Sequence, residues 1–156
     1  MPRLDRFPEA NRKALMTAPV QDNDTSPFAR IAKPLASCRL AIVTTAGLHH
    51  RDDRPFGPGD PSYRVIPSAT PSADIVMSHT SLGFDRVPVM RDLNVTFPID
   101  RLRELVTRGA LGALAHNFYS FMGAQRDVTR IDRETGPEVA RRLLDDGADV
   151  AFLTPT

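Results

Sequence analysis

The feature that most constrains the fold is a pair of short runs whose apolar residues are consecutive rather than alternating. They are residues 39–45 and residues 150–153 of the 156-residue sequence. Consecutive apolar residues are typical of strands covered on both faces, as in parallel sheets flanked by helices. The pattern predicts an α/β fold with a mostly parallel sheet.

Two helices are predicted, at residues 101–108 and 136–146, and each is followed by a glycine as a stop signal. Asp100 is placed to cap the first helix. The strands predicted around these helices are residues 93–98, 111–115 and 150–153. This alternation of strands and helices predicts βαβ units and a Rossmann-like three-layer fold.

The chain before the first strand has a different composition. Residues 1–28 mix charges with Pro, Asn and Asp, and they predict a weakly ordered arm. Within this arm we expect a short helix at residues 12–16 and a polar linker at residues 21–27. Residues 29–156 are predicted to form the α/β domain.

A long segment rich in Pro, Gly, Asp and Arg follows the first strand and covers residues 48–74. It contains one short predicted strand, at residues 63–66, and another is predicted at residues 75–78. An irregular segment of this length in a compact domain is usually functional. We therefore expect it to contribute to a site.

The composition excludes several classes of protein. Twenty basic and nineteen acidic residues nearly cancel, which argues against a nucleic-acid-binding protein. No apolar run approaches the roughly 20 residues of a membrane span, and the N-terminus does not resemble a signal peptide. A single cysteine excludes a disulfide framework. We expect a cytoplasmic protein.

All four histidines come directly after predicted strands. Because ligands bind beyond the carboxyl ends of strands in open α/β sheets, His49, His50, His79 and His116 are candidates for a shared site. His79 and His116 are the stronger pair, for proton transfer or substrate hydrogen bonding. The alternative is that each is a surface residue. No close pair of histidines has metal-ligand spacing, so no metal is expected.

Other polar residues lie near the same predicted edge. Asp92 and Asn94 could bind substrate, or could only shape a turn through side-chain to backbone hydrogen bonds. Tyr119 and Ser120 could line a pocket, or could belong to the core. Thr154, directly after the last strand, completes the predicted substrate-binding set with His49.

Cys38 is a weak candidate for thiol chemistry because it precedes the first strand and so lies at the amino edge. The glycines form no dinucleotide-binding or phosphate-binding motif, and no nucleophile elbow is present. No cofactor is predicted within this chain.

Several segments, in order along residues 30 to 156, together resemble the selenoprotein B family. This family comprises the substrate-specific subunits of glycine, sarcosine, betaine and D-proline reductases. The segments that carry the resemblance are residues 32–35, 39–47, 54–56, 59–67, 76–79, 92–94, 97–102, 116–123 (HNFYSFMG) and 146–155 (DGADVAFLTP).

The resemblance implies a redox pair directly after the segment that is similar to residues 153–156. In the family this pair is selenocysteine or cysteine, two residues, then cysteine, with a further helix and strand behind it. The sequence holds no such pair, so we expect an in-frame UGA codon after Thr156 and an incomplete sheet. The genomic DNA tests this expectation. An open apolar face on the last strand would make the 156-residue protein associate.

The resemblance also implies a function. It predicts a substrate-binding or catalytic reductase subunit in which selenol or thiol attack leads to reductive bond cleavage, with His79 and His116 lining the pocket. The implied substrate is an amino acid or amine derivative, and the implied partners are a redox protein, other reductase subunits or a second copy. Two alternatives are a short non-redox binding module and a hydrolase or lyase that uses His79, His116 and Asp92.

Overall fold

The computed structural model of the protein describes residues 4–17, 25, 29–81 and 83–156. The chain divides into two units, Met1–Arg30 and Ile31–Thr156. The first unit contains helix α1 (Glu9–Met16), which begins directly after Pro8. A helix was predicted here, at residues 12–16. The polar linker predicted at residues 21–27 lies, apart from Thr25, outside the described residues.

The second unit contains a five-stranded sheet, a two-stranded sheet and three α-helices. The strands of the larger sheet are β1 (Arg39–Thr44), β3 (Tyr63–Pro67), β5 (Ala113–Leu114), β6 (Asn117–Phe121) and β7 (Val150–Thr154). The smaller sheet pairs β2 (Leu48–His50) with β4 (Ile75–Met77) in antiparallel fashion. The helices are α2 (Val87–Arg91), α3 (Ile99–Thr107) and α4 (Gly136–Asp145).

Strand β1 is the centre of the larger sheet. It pairs in parallel with β7 on one side, and with β5 and β6 on the other. Strand β3 lies outside β6 and is antiparallel to it. The predicted α/β class with a mostly parallel sheet is therefore confirmed, and the Rossmann-like three-layer arrangement stays a prediction.

Helices α3 and α4 pack against opposite faces of the sheet. Phe118 and Tyr119 are neighbours on a strand and so point to opposite faces. Leu102 of α3 joins the core cluster that contains Phe118, whereas Val139 of α4 packs with Tyr119. Burying an aromatic or aliphatic side chain of this size contributes about 1.5–3 kcal/mol, so both helices hold the sheet in place.

Strands β5 and β6 are two halves of one strand, separated by a bulge. Leu40 of β1 aligns with Leu114, but Val43 aligns with Tyr119, so the second strand carries two additional residues. The predicted end of this strand at residue 115 is therefore wrong. The chain stays in the sheet to Phe121 because its aromatic side chains are buried there.

Two further predictions are wrong. Residues 93–98 are not a strand, since Leu93–Val95 forms a 3₁₀ turn in which the Asp92 side chain accepts a hydrogen bond from the Asn94 N–H. His49 and His50 are not in a loop after β1, because they belong to β2. No helix in the described part of the chain is long and apolar enough to cross a membrane.

Strand β7 is an edge strand with apolar side chains open on both faces. Phe152 is 43% exposed and Leu153, on the opposite face, is 66% exposed. No described element covers either of these side chains. Exposed apolar edges of this kind favour association between chains.

We predict that the 156-residue protein self-associates and that Leu153→Ser weakens the association at least several-fold. The reason is that serine removes exposed apolar surface from β7 without emptying a core position. Sedimentation velocity across a concentration series measures the effect. Met90→Ser is the control, because Met90 is 81% exposed but lies on α2. A wild-type protein that stays monomeric at all concentrations contradicts the prediction.

Candidate active site

The carboxyl ends of the parallel strands β1, β6 and β7 meet at one edge. The Thr45 N–H donates to the Thr154 carbonyl (3.2 Å), and the Thr156 N–H donates to Thr45 Oγ1 (2.8 Å). On the other side of β1, the Gly47 N–H donates to the Phe121 carbonyl (2.9 Å). The three chain segments are therefore fixed to one another where they leave the sheet.

Gly47 brings a fourth segment to this edge. The Ser78 N–H donates to the Gly47 carbonyl (3.0 Å), and a Cβ on residue 47 would lie only 3.1 Å from the backbone nitrogen of His79. Gly47 also has a φ of 64°, a conformation that favours glycine. The close approach places His79, which follows β4, against the end of the larger sheet.

The His79 imidazole is enclosed by protein. The residue is 3% exposed, its Nδ1 accepts a hydrogen bond from the Ser81 N–H (3.2 Å), and its ring packs on Phe84 at 4.8 Å between centroids. Burial, and after it the positive charge of Arg86, lower the pKa of His79 below its ordinary value of 6.5. The ring is therefore neutral at pH 7.

The second ring nitrogen of His79 lacks a hydrogen-bond partner among the residues that the structure describes. Its Nε2 is buried and makes no hydrogen bond with any described residue. It faces Gly123, where an added Cβ would lie 3.1 Å from Nε2, 2.7 Å from the Thr156 carbonyl oxygen and 2.8 Å from the Thr45 carbonyl oxygen. Because buried polar atoms are rarely left unpaired, this nitrogen marks the edge as a candidate site.

A row of hydroxyl groups crosses the sheet just before this edge. Ser120 and Thr154 both align with Thr44. Thr44 Oγ1 donates to the Thr154 carbonyl (3.1 Å), and Ser120 Oγ accepts from the Leu48 N–H (2.8 Å). Thr154 Oγ1 is buried and has no hydrogen-bond partner among the described residues. Ser120 therefore supports the backbone, and Thr154 keeps a free hydroxyl.

His116 lies away from His79. It occupies the bulge between β5 and β6, its side chain is 81% exposed, and its Nε2 is 4.0 Å from Asp146 Oδ1. It lines an open cavity together with Cys38 and Arg39, which are at the amino end of β1. The predicted placement of His116 at the carboxyl edge is wrong, because β6 continues the strand beyond it.

His49 and His50 also differ from the predicted arrangement. His49 is buried in β2, with Nδ1 2.7 Å from the His50 carbonyl and its ring edge-on to Phe56 at 6.4 Å. His50 Nδ1 lies 3.6 Å from the Asp52 carboxylate. Neither is among the groups found around His79 Nε2.

Asp92 and Asn94 have contacts that correspond to the turn-shaping alternative. Asp92 Oδ1 accepts from both the backbone N–H and the side-chain amide of Asn94 (2.9 Å each). These hydrogen bonds lower the pKa of Asp92. The Asn94 side chain in turn bonds Asp100 at the start of α3. The network anchors the turn to the helix.

Tyr119 belongs to the core. It is buried, and its ring contacts Tyr63 edge-on at 5.8 Å. Burial is the main cause of the raised pKa of its phenol. These contacts correspond to the core-packing alternative.

The long segment after β2 lies beside the site. The Phe56 N–H donates to Ser78 Oγ (2.8 Å), directly before His79. The Arg64 guanidinium stacks on the Phe56 ring at 4.2 Å and pairs with Asp60 (3.2 Å), and Gln125 Nε2 donates to the Asp60 carbonyl (2.7 Å). These contacts hold the segment against the chain around His79.

Comparison with known proteins identifies the family. The sequence profile described as glycine/sarcosine/betaine reductase selenoprotein B (GRDB) matches residues 68–156, more than half of the chain. The chain belongs to this family. The resemblance seen in the sequence is confirmed, and the matched range of this chain includes His79, Gly123 and Thr154.

Two curated members of related complexes are similar to the chain. It is 41% identical over 125 residues to D-proline reductase subunit gamma of Acetoanaerobium sticklandii, covering 80% of this chain and 51% of that protein. It is 29% identical over 128 residues to sarcosine reductase complex component B subunit beta of Peptoclostridium acidaminophilum, covering 80% of this chain and 29% of that protein. The chain thus spans about half or less of these relatives. No solved structure matches it.

Sequence reasoning missed two glycines of the candidate site, Gly47 and Gly123. Gly47 and Gly123 follow β1 and β6, and each lets backbone or the His79 ring approach closely. Their position directly after apolar strands was a usable signal, because glycine at such a position often marks close approach. Within the described residues, no group of three or more His, Cys, Asp or Glu side chains could hold a metal ion.

We predict that Gly123→Ala lowers the free energy of unfolding by about 1–3 kcal/mol, the usual cost of forcing an added group into a packed position. Two of the atoms in its way are backbone oxygens, which cannot rotate aside. Gly57→Ala is the matched control, since nothing lies within 4 Å of an added Cβ there. Urea denaturation of both variants measures the difference, and equal stabilities would contradict the close packing at Gly123.

We predict that part of the acid sensitivity of stability comes from His79. Its pKa is lower in the folded than in the unfolded protein, so the unfolded chain binds more protons between the two values. The contribution is complete above about pH 6.5 and is lost as the pH falls further. His79→Gln should therefore show a smaller loss of unfolding free energy between about pH 7 and pH 5 than wild type or the exposed-site control His116→Gln. Identical losses would contradict the assignment.

Proposed function

We propose that this chain forms the substrate-facing part of a reductase component of the glycine, sarcosine, betaine or D-proline reductase type. The component would act by selenol or thiol attack with reductive bond cleavage. The observation that carries the proposal is the buried, unpartnered Nε2 of His79 at the edge where β1, β6 and β7 end. Membership of the selenoprotein B family supplies the chemistry that this edge would serve.

The nucleophile would come from outside these 156 residues. Cys38 is the single cysteine, and it is buried at the amino end of β1 with Sγ donating to the Pro34 carbonyl (3.3 Å). That position is at the far end of the central strand from His79. A selenol or thiol at the carboxyl edge would belong to further polypeptide of the same subunit or to a partner subunit.

The feature that favours an anionic group beside His79 is the ring nitrogen Nε2. Gly123 leaves no side chain between the strand end and the ring, and the ring offers one nitrogen without a partner. A selenolate or thiolate there would attack the substrate carbon, forming a carbon–chalcogen bond while the carbon–nitrogen bond breaks and the amine leaves with the electron pair and takes up a proton. One thiolate of a dithiol then attacks the chalcogen, so that the carbon–chalcogen bond breaks and the carbon takes up a proton. The second thiol of the dithiol releases the chalcogen anion and completes the disulfide. The net reaction transfers two electrons from the dithiol to the substrate.

The proposed substrate is an amino acid or an amine derivative, as in the reductases of the two similar proteins. Those proteins are named as a subunit and as a complex component, so other reductase subunits and a redox protein are proposed partners here. A hydrolase or lyase built on His79, His116 and Asp92 is not favoured. Among the described residues, no hydrogen bond or ion pair joins any two of them.

The test uses the native assembly, isolated from its source through a tag on this chain. Glycine, sarcosine, betaine and D-proline are each supplied with dithiothreitol, and loss of substrate is compared with oxidation of the dithiol. We expect one substrate to be consumed with one equivalent of dithiol oxidised. His79→Ala should lower kcat/KM by about 100-fold or more, the usual contribution of a group that moves or holds a proton.

His116→Ala is the matched variant in that assay, because its exposed side chain lies at the bulge and not at the carboxyl edge. We expect its kcat/KM to stay within about threefold of wild type, as for most surface substitutions. Selenium in the tagged protein, detected by mass spectrometry, would identify the nucleophile. Substrate turnover that proceeds without any dithiol, or no turnover of any of the four substrates, would overturn the proposal.

A further inference from the structure

The unpartnered nitrogen of His79 has a specific use if the proposed function holds. We infer that His79 donates a hydrogen bond from Nε2 to the anionic selenium or sulfur of the nucleophile, and so keeps that nucleophile ionised. The inference rests on the proposed function for the presence of the nucleophile. It concerns one atom of one residue and one class of acceptor.

The proton of the neutral His79 ring lies on Nε2. The Ser81 N–H points at His79 Nδ1, so Nδ1 is a hydrogen-bond acceptor and carries no proton. A neutral imidazole has one N–H, which must then be on Nε2. His79 therefore presents a donor at Nε2, and a second proton could go only to Nδ1, which would make the ring charged inside the protein.

The Nε2–H group of His79 lacks a hydrogen-bond acceptor among the described residues. Nε2 is buried, and no described side chain or backbone oxygen accepts from it. A buried donor without an acceptor destabilises the folded protein, so an acceptor in the site would remove a destabilising feature. An acceptor with a negative charge would gain most, because hydrogen bonds to charged groups are about twice as strong as neutral ones.

Two kinds of anion could accept the hydrogen bond from Nε2: the carboxylate of the substrate, and the selenolate or thiolate of the nucleophile. A substrate carboxylate is small, strongly hydrated and free to diffuse, and it would have to lose its water to reach a nitrogen with no exposed surface. A selenolate or thiolate is attached to the polypeptide and can be built into the site during folding. Its larger and more polarisable atom loses less on leaving water. The enclosure by Gly123 and Phe84 therefore favours the nucleophile.

The experiment measures how easily the nucleophile ionises. The native assembly is alkylated with iodoacetamide from about pH 4 to about pH 9, since the ionised selenol or thiol is the reacting form. Wild type is compared with His79→Phe, which removes the donor, with His79→Gln, whose amide nitrogen can replace Nε2, and with His116→Phe as control. KM for the substrate that the assembly reduces is measured on the same preparations.

We expect His79→Phe to raise the pKa of the nucleophile by about one to two pH units, which is about 10- to 100-fold slower alkylation at low pH. His79→Gln should restore at least half of this change, and His116→Phe should have no effect. KM should change little. An unchanged alkylation profile with a raised KM would overturn the inference, because the donor would then serve the substrate carboxylate.

A second measurement covers the case in which His79→Phe does not fold. Nitrogen-15 NMR of the wild-type 156-residue chain reports which ring nitrogen of His79 carries the proton. A proton on Nε2 supports the inference, and a proton on Nδ1 overturns it. The proposed function fails separately, if an active assembly contains no selenol or thiol that iodoacetamide can alkylate.

Discussion

The pairing of β1 on both of its edges is the constraint on which the rest of the structure depends. Because β6, β1 and β7 run in the same direction, their carboxyl ends open at a single place. The backbone of Thr45 and the side chain of Thr44 both donate to the Thr154 carbonyl, which keeps the ends of β1 and β7 level. The candidate site forms where the His79 side chain, which lies outside the larger sheet, packs against this edge.

The small antiparallel pair, β2 and β4, positions His79 at this edge. The pair turns the chain back so that His79 meets Gly47 at the end of β1. The imidazole is then enclosed by Phe84 and Gly123 at the expense of its hydration. The same enclosure leaves Nε2 without a partner among the described residues and lowers the pKa of the ring. The burial of His79 therefore accounts both for its neutral form and for its available N–H group.

Sequence reasoning succeeded where a hydrophobic pattern belonged to one element. The consecutive apolar residues of β1 and β7 predicted parallel strands, and glycines after α3 and α4 predicted their ends. It failed where tertiary contacts decided. The run after Ala115 has polar residues at its start, so nothing local shows that β6 continues the sheet. Residues 93–98 carry strand-forming side chains, but the Asp92 carboxylate closes a turn there instead.

Only part of the candidate site could be predicted from the sequence, because tertiary contacts decide which residues meet there. His79 could be chosen from its position after a strand, but His116 could not be excluded without knowing the bulge. The bulge has a consequence for how the two halves of that strand can vary. Its two additional residues are an even number, so every side chain of β6 keeps its face, and the pairings on either side are independent of them. A change of two residues in the bulge around His116 would therefore leave the side chains at the strand end near His79 on the same faces of the sheet.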